Sequence, residues 1–315
     1  MLPISDFFEK YEDFNELKFV IDESLIGIRI DAAITQQEPS VSRSSLKTLD
    51  YSILINGIEP KLSHKLLLGE EVEFYWSQHV EISFEPEPIP LTIIYRDDDL
   101  MIVDKPWGLV VHPAKGHESG TLANGILHYL QTENIDYNFG EEGRVGIVHR
   151  LDKDTRGLMI IALNEHSSRA LSEAFKNREI TKVYKALVKG LTPEHGILEG
   201  NIGRSTNDRK RMAVLKRGGR DARTDYKVLK YLKEHTLLAC KLFTGRTHQI
   251  RVHLSQATYP IVNDELYSRQ RVHLPGMGLI ACHLSFKHPR TGKEMSFTLP
   301  DPPAFTQLIE SLDKK

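Results

Sequence analysis

Three prolines at alternating positions divide this chain into two parts. Residues 85–90 read Glu-Pro-Glu-Pro-Ile-Pro. Each proline fixes its φ angle and removes a backbone amide donor, so this segment does not fit inside a sheet and forms a semi-rigid, extended spacer. The chain has 315 residues, which is long enough for two domains. We therefore predict one domain over residues 1–84, a proline-rich linker over 85–90 and a second domain over 91–315.

Charge is distributed unevenly between these parts. The net charge of the whole chain is -2, but residues 1–84 carry 7 Lys and Arg against 15 Asp and Glu, a net charge of -8. The rest of the chain therefore carries a net charge of +6. A basic surface suits a polyanionic partner such as a nucleic acid, so we expect the two parts to differ in what they bind.

Composition excludes several classes of protein. Hydrophobic residues make up 40% and charged residues 27% of the chain, which is typical of a globular protein. No apolar run approaches the ~20 residues of a membrane-spanning helix, and the first residues do not form a signal peptide. We therefore expect a cytoplasmic protein that does not associate with membranes. Two cysteines, Cys240 and Cys282, are too few for a disulfide framework or a thiolate metal site.

The first domain is predicted to be a small α/β module. Residues 41–46 have the pattern of a capped helix start, and residues 52–58 form a strand that enters a tight turn at Asn56-Gly57. The predicted order is helix, helix, small sheet. The stretch from about residue 18 to 75 resembles an S4-like RNA-binding module. Because this domain is acidic, a docking domain without RNA affinity of its own is the alternative.

The second domain alternates β-rich runs with helical patterns. Residues 91–95 and 99–104 are rich in β-branched and aliphatic residues, and the apolar spacing over 122–130 and 170–175 is that of amphipathic helices. Residues 182–188 again form a strand, and more β-rich segments follow. Most strands are joined by turns, so we predict an α+β domain built on a mixed sheet rather than a doubly wound parallel fold.

One polar loop lies between two apolar runs. Residues 146–161 read GIVHRLDKDTRGLMII, so Asp152 lies on a short loop with an apolar segment on either side. Such loops often carry catalytic groups, because the flanking strands fix their geometry. From these residues alone, the alternative is a surface turn whose charges are solvated.

The same run resembles the active-site motif of the RluA-type pseudouridine synthases, and within them the ribosomal large subunit pseudouridine synthase D group. The resemblance covers about residues 91–299 and includes further motifs in the family's order, at residues 104–122, 182–188, 244–254 and 260–264. It implies the pseudouridine synthase fold, with a mainly antiparallel sheet and flanking helices. It also implies an enzyme that isomerises uridine in RNA.

The resemblance assigns roles to individual residues. The catalytic aspartate of the family corresponds to Asp152, and the tyrosine that packs against the target base corresponds to Tyr184. The basic partner of the aspartate corresponds to Arg251, on a helix predicted over residues 247–256. Arg150 corresponds to the arginine that fills the gap left by the flipped base. Flipping is expected because chemistry at C1′ and C5 is blocked inside a stacked helix.

The reaction itself makes few demands on a site. The N1–C1′ bond must break, the uracil must rotate, C5 must bond to C1′ and the C5 proton must leave. A carboxylate can act as a nucleophile at C1′ or as a base at C2′, and the sequence leaves both open. Arg251 would keep Asp152 ionised, while Tyr184 would offer a stacking face and a hydroxyl that could accept or relay the C5 proton. We expect no metal and no other cofactor.

The expected partner is structured RNA. The resemblance implies a stem-loop of 23S ribosomal RNA or its precursor, with transfer RNA as the alternative, and we expect a monomer. Residues 204–223 hold eight Lys and Arg against two Asp, and we interpret them as a β-ribbon with phosphate contacts. The residues predicted to bind RNA are Arg150, Arg209, Lys210, Arg211 and Arg246.

Three residues depart from the family pattern. Arg156 stands where the family usually has Ser or Thr, and Ile280 and Cys282 replace the usual His and aromatic residue. Arg156 could contact a phosphate or be a neutral change, and none of the three removes a catalytic group. The remaining alternative is a non-catalytic RNA-binding or ribosome assembly factor on the same fold. An aspartate among basic residues favours the enzyme, because a protein that only binds phosphates has no need of it.

Overall fold

The computed structural model describes residues 1–315 with the exception of 12–13, 40, 42–45, 47–48, 62–63, 78–84, 114–116, 138–144, 206–207, 209 and 315. The chain divides into two compact units, Met1–Ile82 and Ser83–Lys315. Each unit has its own hydrophobic core and is described by itself.

The first unit packs helices on a three-stranded antiparallel sheet. Its elements are α1 (Ile4–Lys10), β1 (Asn15–Val20), α2 (Ile30–Gln37), β2 (Tyr51–Ile55) and β3 (Glu71–Trp76), and the strand order is β1-β3-β2. Helix α2 buries Ile30, Ala33 and Ile34, which lie on one face at helical spacing. These side chains join a core with residues of β2 and β3, such as Ile53 and Phe74.

The sequence predictions for this unit have mixed outcomes. The tight turn is confirmed, since Asn56 and Gly57 both have positive φ angles, of 50° and 78°. The predicted order helix, helix, small sheet is wrong, because β1 precedes α2 and pairs with β3. Strand β1 is short, with one face exposed and the other only half-buried, so few apolar residues indicate it. The helix start predicted at 41–46 falls largely outside the described residues, and the S4-like assignment stays a prediction.

The second unit is built on one large mixed sheet. Its elements are β4 (Thr92–Arg96), β5 (Leu100–Lys105), α3 (Leu122–Thr132), β6 (Arg156–Ala162), α4 (Glu165–Lys176), β7 (Thr181–Lys189), β8 (His195–Arg204), β9 (Met212–Leu215), β10 (Arg220–Tyr231), β11 (His235–Leu242), α5 (Gln249–Gln256), β12 (Leu279–Lys287), β13 (Glu294–Thr298) and α6 (Pro303–Lys314). The strand order is β4-β5-β6-β12-β7-β11-β10-β8-β9, and β13 also pairs with β12. Among the described strands only β6 and β12 run parallel. The predicted α+β fold with a mixed, mainly antiparallel sheet is confirmed.

Helices cover both faces of this sheet. Strand β5 is buried along its whole length, with Met101 and Val103 in the core that includes α3. Leu100 and Ile102 point to the other face and pack with α4. The strands and helices predicted from residues 91–95, 99–104, 122–130, 170–175 and 182–188 are therefore confirmed as β4, β5, α3, α4 and β7.

Two of the departures from the family pattern are packing residues. Ile280 and Cys282 on β12 lie in a buried cluster with Phe305, Leu308 and Ile309 of α6. The aliphatic and thiol side chains therefore form part of the surface on which the last helix packs. No helix in the described part of the chain is long and apolar enough to cross a membrane.

The basic segment forms strands, as predicted. Strand β9 pairs with β8, and β10 pairs with the other edge of β8. Gly218 and Gly219 connect β9 to β10 with φ angles of 72° and 76°. The phosphate contacts of the basic segment, residues 204–223, stay a prediction, and Arg209 lies outside the described residues.

Candidate active site

Asp152 lies on the loop that precedes β6. An isolated bridge between Ile147 and Ile161 closes one end of this loop. Near the start of β6, Gly157 has a φ of +135°, and a Cβ there would lie 2.3 Å from the carbonyl oxygen of Ala281 on β12. Only glycine allows the two backbones to approach so closely. The loop is therefore held at the junction of β6 and β12.

A buried lysine holds the loop from another side. The ammonium of Lys105, at the end of β5, donates to the carbonyls of Pro106 at 3.0 Å, Leu109 at 2.8 Å and Lys153 at 2.9 Å. Burial lowers the pKa of Lys105 to about 8, while the charge of Asp152 acts in the opposite direction. Because Lys153 directly follows Asp152, these bonds fix the backbone next to the carboxylate.

Arg251 connects two carboxylates. Its Nη1 donates to Oδ2 of Asp152 at 2.8 Å, and its Nε and Nη2 donate to the two carboxylate oxygens of Asp264 at 2.8 and 2.9 Å. Asp264 is fully buried and also accepts the backbone amides of Leu266 and Tyr267. A bidentate pair of this kind fixes the plane of the guanidinium. The structure thus brings Asp152 and Arg251 together, as the sequence predicted.

The charge on Asp152 follows from this contact. Burial by itself would raise the pKa of the Asp152 carboxyl, but the charge of Arg251 and its hydrogen bond, with contributions from His248 and Arg150, lower that pKa below its usual value. The carboxylate is therefore ionised at neutral pH. Two carboxylates also raise the pKa of Arg251, so the ion pair persists at every physiological pH.

Tyr184 lies in the middle of β7, between β11 and β12. Its register partners are Cys240 and Ala281, and its side chain is buried in the same core as Leu151. Burial and the charge of Asp152 both raise the pKa of the hydroxyl. Tyr184 therefore keeps its proton at neutral pH and lies within electrostatic reach of Asp152.

A second contact network, around α5, was not predicted from the sequence. His248 precedes the helix in a left-handed conformation, with a φ of 56°, so α5 begins at Gln249 and not at Thr247 as predicted. Its Nδ1 lies 3.0 Å from the hydroxyl of Tyr267. That hydroxyl accepts the N–H of Met212 at 2.7 Å and donates to its carbonyl at 3.2 Å. Tyr267 therefore joins the residue that precedes α5 to the start of β9.

Tyr267 also contacts two arginines. The Cζ atoms of Arg251 and Arg211 lie 5.1 and 5.9 Å from the centre of its ring. The ring therefore links the arginine that holds Asp152 to the basic segment that follows β8. Asp264 and Tyr267 belong to or closely follow the motif at 260–264, but only their long-range contacts show what they do.

The predicted RNA-binding residues that the structure describes lie in three places. Arg150 is exposed on the loop of Asp152 and acts on its charge. Arg246 lies just before α5, and its Nε donates to the carbonyl of Asp221 at 3.0 Å. Lys210 and Arg211 lie on the connection from β8 to β9.

Arg156 has a partner within the chain. Its Nη2 donates to Oδ2 of Asp104 at 2.6 Å, and its guanidinium lies 5.2 Å from the centre of the Trp107 ring. The residue that departs from the family pattern therefore joins β6 to β5.

One group of side chains has the composition of a metal site. Ligand atoms of Asp97, Asp99 and His288 lie within 4.8 Å of one another. Arg290 donates to both carboxylate oxygens of Asp99, at 2.6 to 3.0 Å, and already supplies a cation there. Of the described residues these are the ones that could be considered as ligands, and they fit a salt bridge better than a metal.

Known proteins are similar to this chain in sequence and in fold. Residues 99–256 match the RNA pseudouridylate synthase family, and this range includes Asp152, Tyr184 and Arg251. The chain belongs to this family. The predicted resemblance is therefore confirmed, and so is the prediction that the protein is an RNA pseudouridine synthase.

Individual relatives cover nearly the whole chain. The ribosomal large subunit pseudouridine synthase D of Neisseria meningitidis serogroup A is 37% identical over 98% of this chain and 85% of the relative. The enzyme of the same name from Escherichia coli K12 is 37% identical, over 94% of each chain. An RNA pseudouridine synthase of Aquifex aeolicus is 40% identical over 91% of this chain and 94% of the relative.

A solved structure shares the fold. Human RNA pseudouridylate synthase domain containing 1 superimposes with a TM-score of 0.56 and 25% sequence identity. The similarity covers 73% of this chain and 98% of the human one.

Proposed function

We propose that this protein converts uridine to pseudouridine in a structured region of large-subunit ribosomal RNA. The observation that supports the proposal most strongly is the ionised Asp152 carboxylate, held by Arg251 at 2.8 Å within electrostatic reach of Tyr184. Relatives named ribosomal large subunit pseudouridine synthase D match at least 94% of the chain, which supports this RNA as the substrate.

The target uridine is flipped out of its helix into this site. Arg251 keeps Asp152 charged and orients its second oxygen, so that the carboxylate can attack C1′ or remove a proton at C2′. Either route breaks the N1–C1′ bond, and both need an anionic oxygen at the sugar. Protonation of Asp152 would abolish both.

Tyr184 and Arg150 act on the base and on the helix it leaves. The ring of Tyr184 offers an apolar face on which the uracil stacks while it rotates. Because the hydroxyl keeps its proton, it acts first as a hydrogen-bond donor to the base. It then relays the C5 proton, accepting that proton as it passes its own to solvent water. Arg150, exposed on the same loop as Asp152, fills the space that the flipped base leaves.

RNA binding also involves basic residues outside the loop of Asp152. Lys210 and Arg211, together with Arg246 and Arg209, contact phosphates of a stem-loop in 23S ribosomal RNA or its precursor. Such contacts position the RNA without reading its sequence. The protein acts as a monomer in the cytoplasm, and its acidic first unit is an S4-like module that contributes a further contact to large RNA.

Two measurements test the proposal. Purified protein should release tritium from ribosomal RNA labelled at C5 of uridine, and cells without the protein should lack pseudouridine at specific positions of that RNA. Modification of transfer RNA alone would overturn the ribosomal substrate. Tight RNA binding with no tritium release would favour the non-catalytic alternative.

A further inference from the structure

Strand β7 carries three lysines, and one of them has no carboxylate partner among the described residues. Lys185 donates to Asp301 at 2.6 Å, and Lys189 donates to Glu234 at 2.5 Å. The ammonium of Lys182 makes no hydrogen bond and no ion pair with any residue that the structure describes. It lies two positions before Tyr184, so the two side chains lie on the same face of the strand.

The surroundings of Lys182 suit a cation that binds an external anion. Its ammonium lies 5.6 Å from the centre of the Phe175 ring, and a Cβ on Gly245 would come within 3.4 Å of it. Gly245 therefore lies directly beside the ammonium. The next residue, Arg246, adds a second positive charge that acts on Lys182.

A desolvated cation without a counter-ion is costly. Burial lowers the pKa of Lys182 to about 8, and the charge of Arg246 acts in the same direction. His149 also faces Lys182 and is held neutral, because burial and the charge of Lys182 lower its pKa to about 3. Tyr184, on the same face of the strand, keeps its proton. None of these described neighbours supplies a negative charge, so an anion from outside the chain would remove the cost.

We propose that Lys182 and Arg246 bind one backbone phosphate of the RNA next to the target uridine. This inference rests on the proposed function, because it is the uridine at Asp152 and Tyr184 that brings the phosphate close to Lys182. The site lies beside the reacting nucleotide, and Arg246, whose Nε donates to the carbonyl of Asp221, connects it to the basic segment. It positions the sugar-phosphate backbone and leaves sequence unread.

The site predicts a pH dependence of RNA binding. A bound phosphate raises the pKa of Lys182, so binding is strongest where the free lysine is charged, below pH 8. Above about pH 8 the free lysine loses its proton and the Kd for RNA should rise. Lys182→Arg keeps the charge at every accessible pH and should remove this alkaline rise.

A charge-matched experiment tests the site. The full-length protein, Lys182→Met and the control Lys189→Met are compared on one stem-loop carrying a single neutral methylphosphonate at each position in turn. Lys189 lies on the same strand but is paired with Glu234, so its removal should leave binding unchanged. Lys182→Met should raise the Kd about tenfold, as expected for one hydrogen bond between charged groups.

The decisive result is non-additivity. One methylphosphonate position should weaken binding to the wild type and to Lys189→Met about tenfold, and should leave Lys182→Met unaffected. An unchanged Kd for Lys182→Met would overturn the site. So would a result in which the fold-changes in Kd caused by the substitution and by the methylphosphonate multiply at every position of the methylphosphonate. If Lys182→Met does not fold, the alkaline profiles of the wild type and Lys182→Arg decide, and identical profiles would overturn it. A wild type that binds the RNA but releases no tritium would instead contradict the proposed function.

Discussion

At the scale of single residues, Arg251 controls the charge of Asp152. Without the guanidinium the effect of burial would dominate, and burial raises the pKa of this carboxyl. Asp152 and the fully buried Asp264 would then both lack their main partner, the guanidinium of Arg251. Arg251 therefore has both a structural and an electrostatic role.

Arg251→Gln separates these two roles. We expect the variant to lose about 3–5 kcal/mol of unfolding free energy, because a buried carboxylate loses its counter-ion. We also expect the pH at which activity is half lost on acidification to move upward, since protonation of Asp152 becomes easier. Chemical denaturation and single-turnover rates across pH 3 to 8 measure both. An acid limb at the wild-type position would contradict the electrostatic role.

Tyr184→Phe tests the hydroxyl apart from the ring. The variant keeps the stacking face, so RNA should bind as tightly as to the wild type. Loss of the C5 proton should slow by about 10²-fold or more, as expected when a proton-transfer group is removed. Quenched reactions should then contain a C5-glycosyl product that retains tritium. Equal rates for the two proteins would reduce Tyr184 to a packing residue.

The candidate site was only partly predictable at this scale. Asp152, Tyr184 and Arg251 lie in motifs that resemble those of a known family, so the sequence identifies them. Lys105 also lies in one of these motifs, but the resemblance assigned it no role, and Tyr267 lies outside them. A lysine is usually exposed and a tyrosine is usually a packing residue, so neither residue type indicated these contacts. Only contacts between residues far apart in the chain show what they hold in place.

At the scale of elements, alternation and helical spacing predicted most of the second unit. The exceptions have local causes. Helix α5 begins at Gln249 because His248 adopts a left-handed conformation that a helix cannot include. Strand β1 was not predicted because it is short and its inner face is only half-buried.

The basic segment allows an element-scale prediction. Changing Arg209, Lys210 and Arg211 to Ala should weaken binding to RNAs of any sequence. It should also flatten the salt dependence of log K by about 0.7 to 0.9 for each phosphate that the protein no longer neutralises. Titrations at several salt concentrations, with Lys189→Met as a control outside the segment, measure this slope. An unaltered slope would make the segment a solvated surface.

At the scale of the whole molecule, the two units should divide the work. The residues assigned to chemistry all lie in Ser83–Lys315, while residues 1–84 carry a net charge of -8. This distribution of chemical residues and charge could be predicted from the sequence, and so could the fold class. The contribution of the first unit to the reaction on RNA could not be predicted, because few residues support its resemblance to S4-like modules.

A truncation tests this division. Residues 85–315 should fold and isomerise a small stem-loop as well as the full chain does. On full-length ribosomal RNA the truncated protein should be slower, because a second tethered contact raises the effective concentration of the catalytic unit. Equal rates on both RNAs would show that the first unit does not guide the reaction.

The most direct test of the central claim is the reaction of Asp152→Asn. The amide has nearly the shape of the carboxylate but is neither a nucleophile nor a base, and Arg251 keeps its bidentate partner Asp264. We predict that the variant folds and binds ribosomal RNA like the wild type, and releases no tritium from uridine labelled at C5. Tritium release at a rate comparable with that of the wild type would contradict the catalytic role of Asp152.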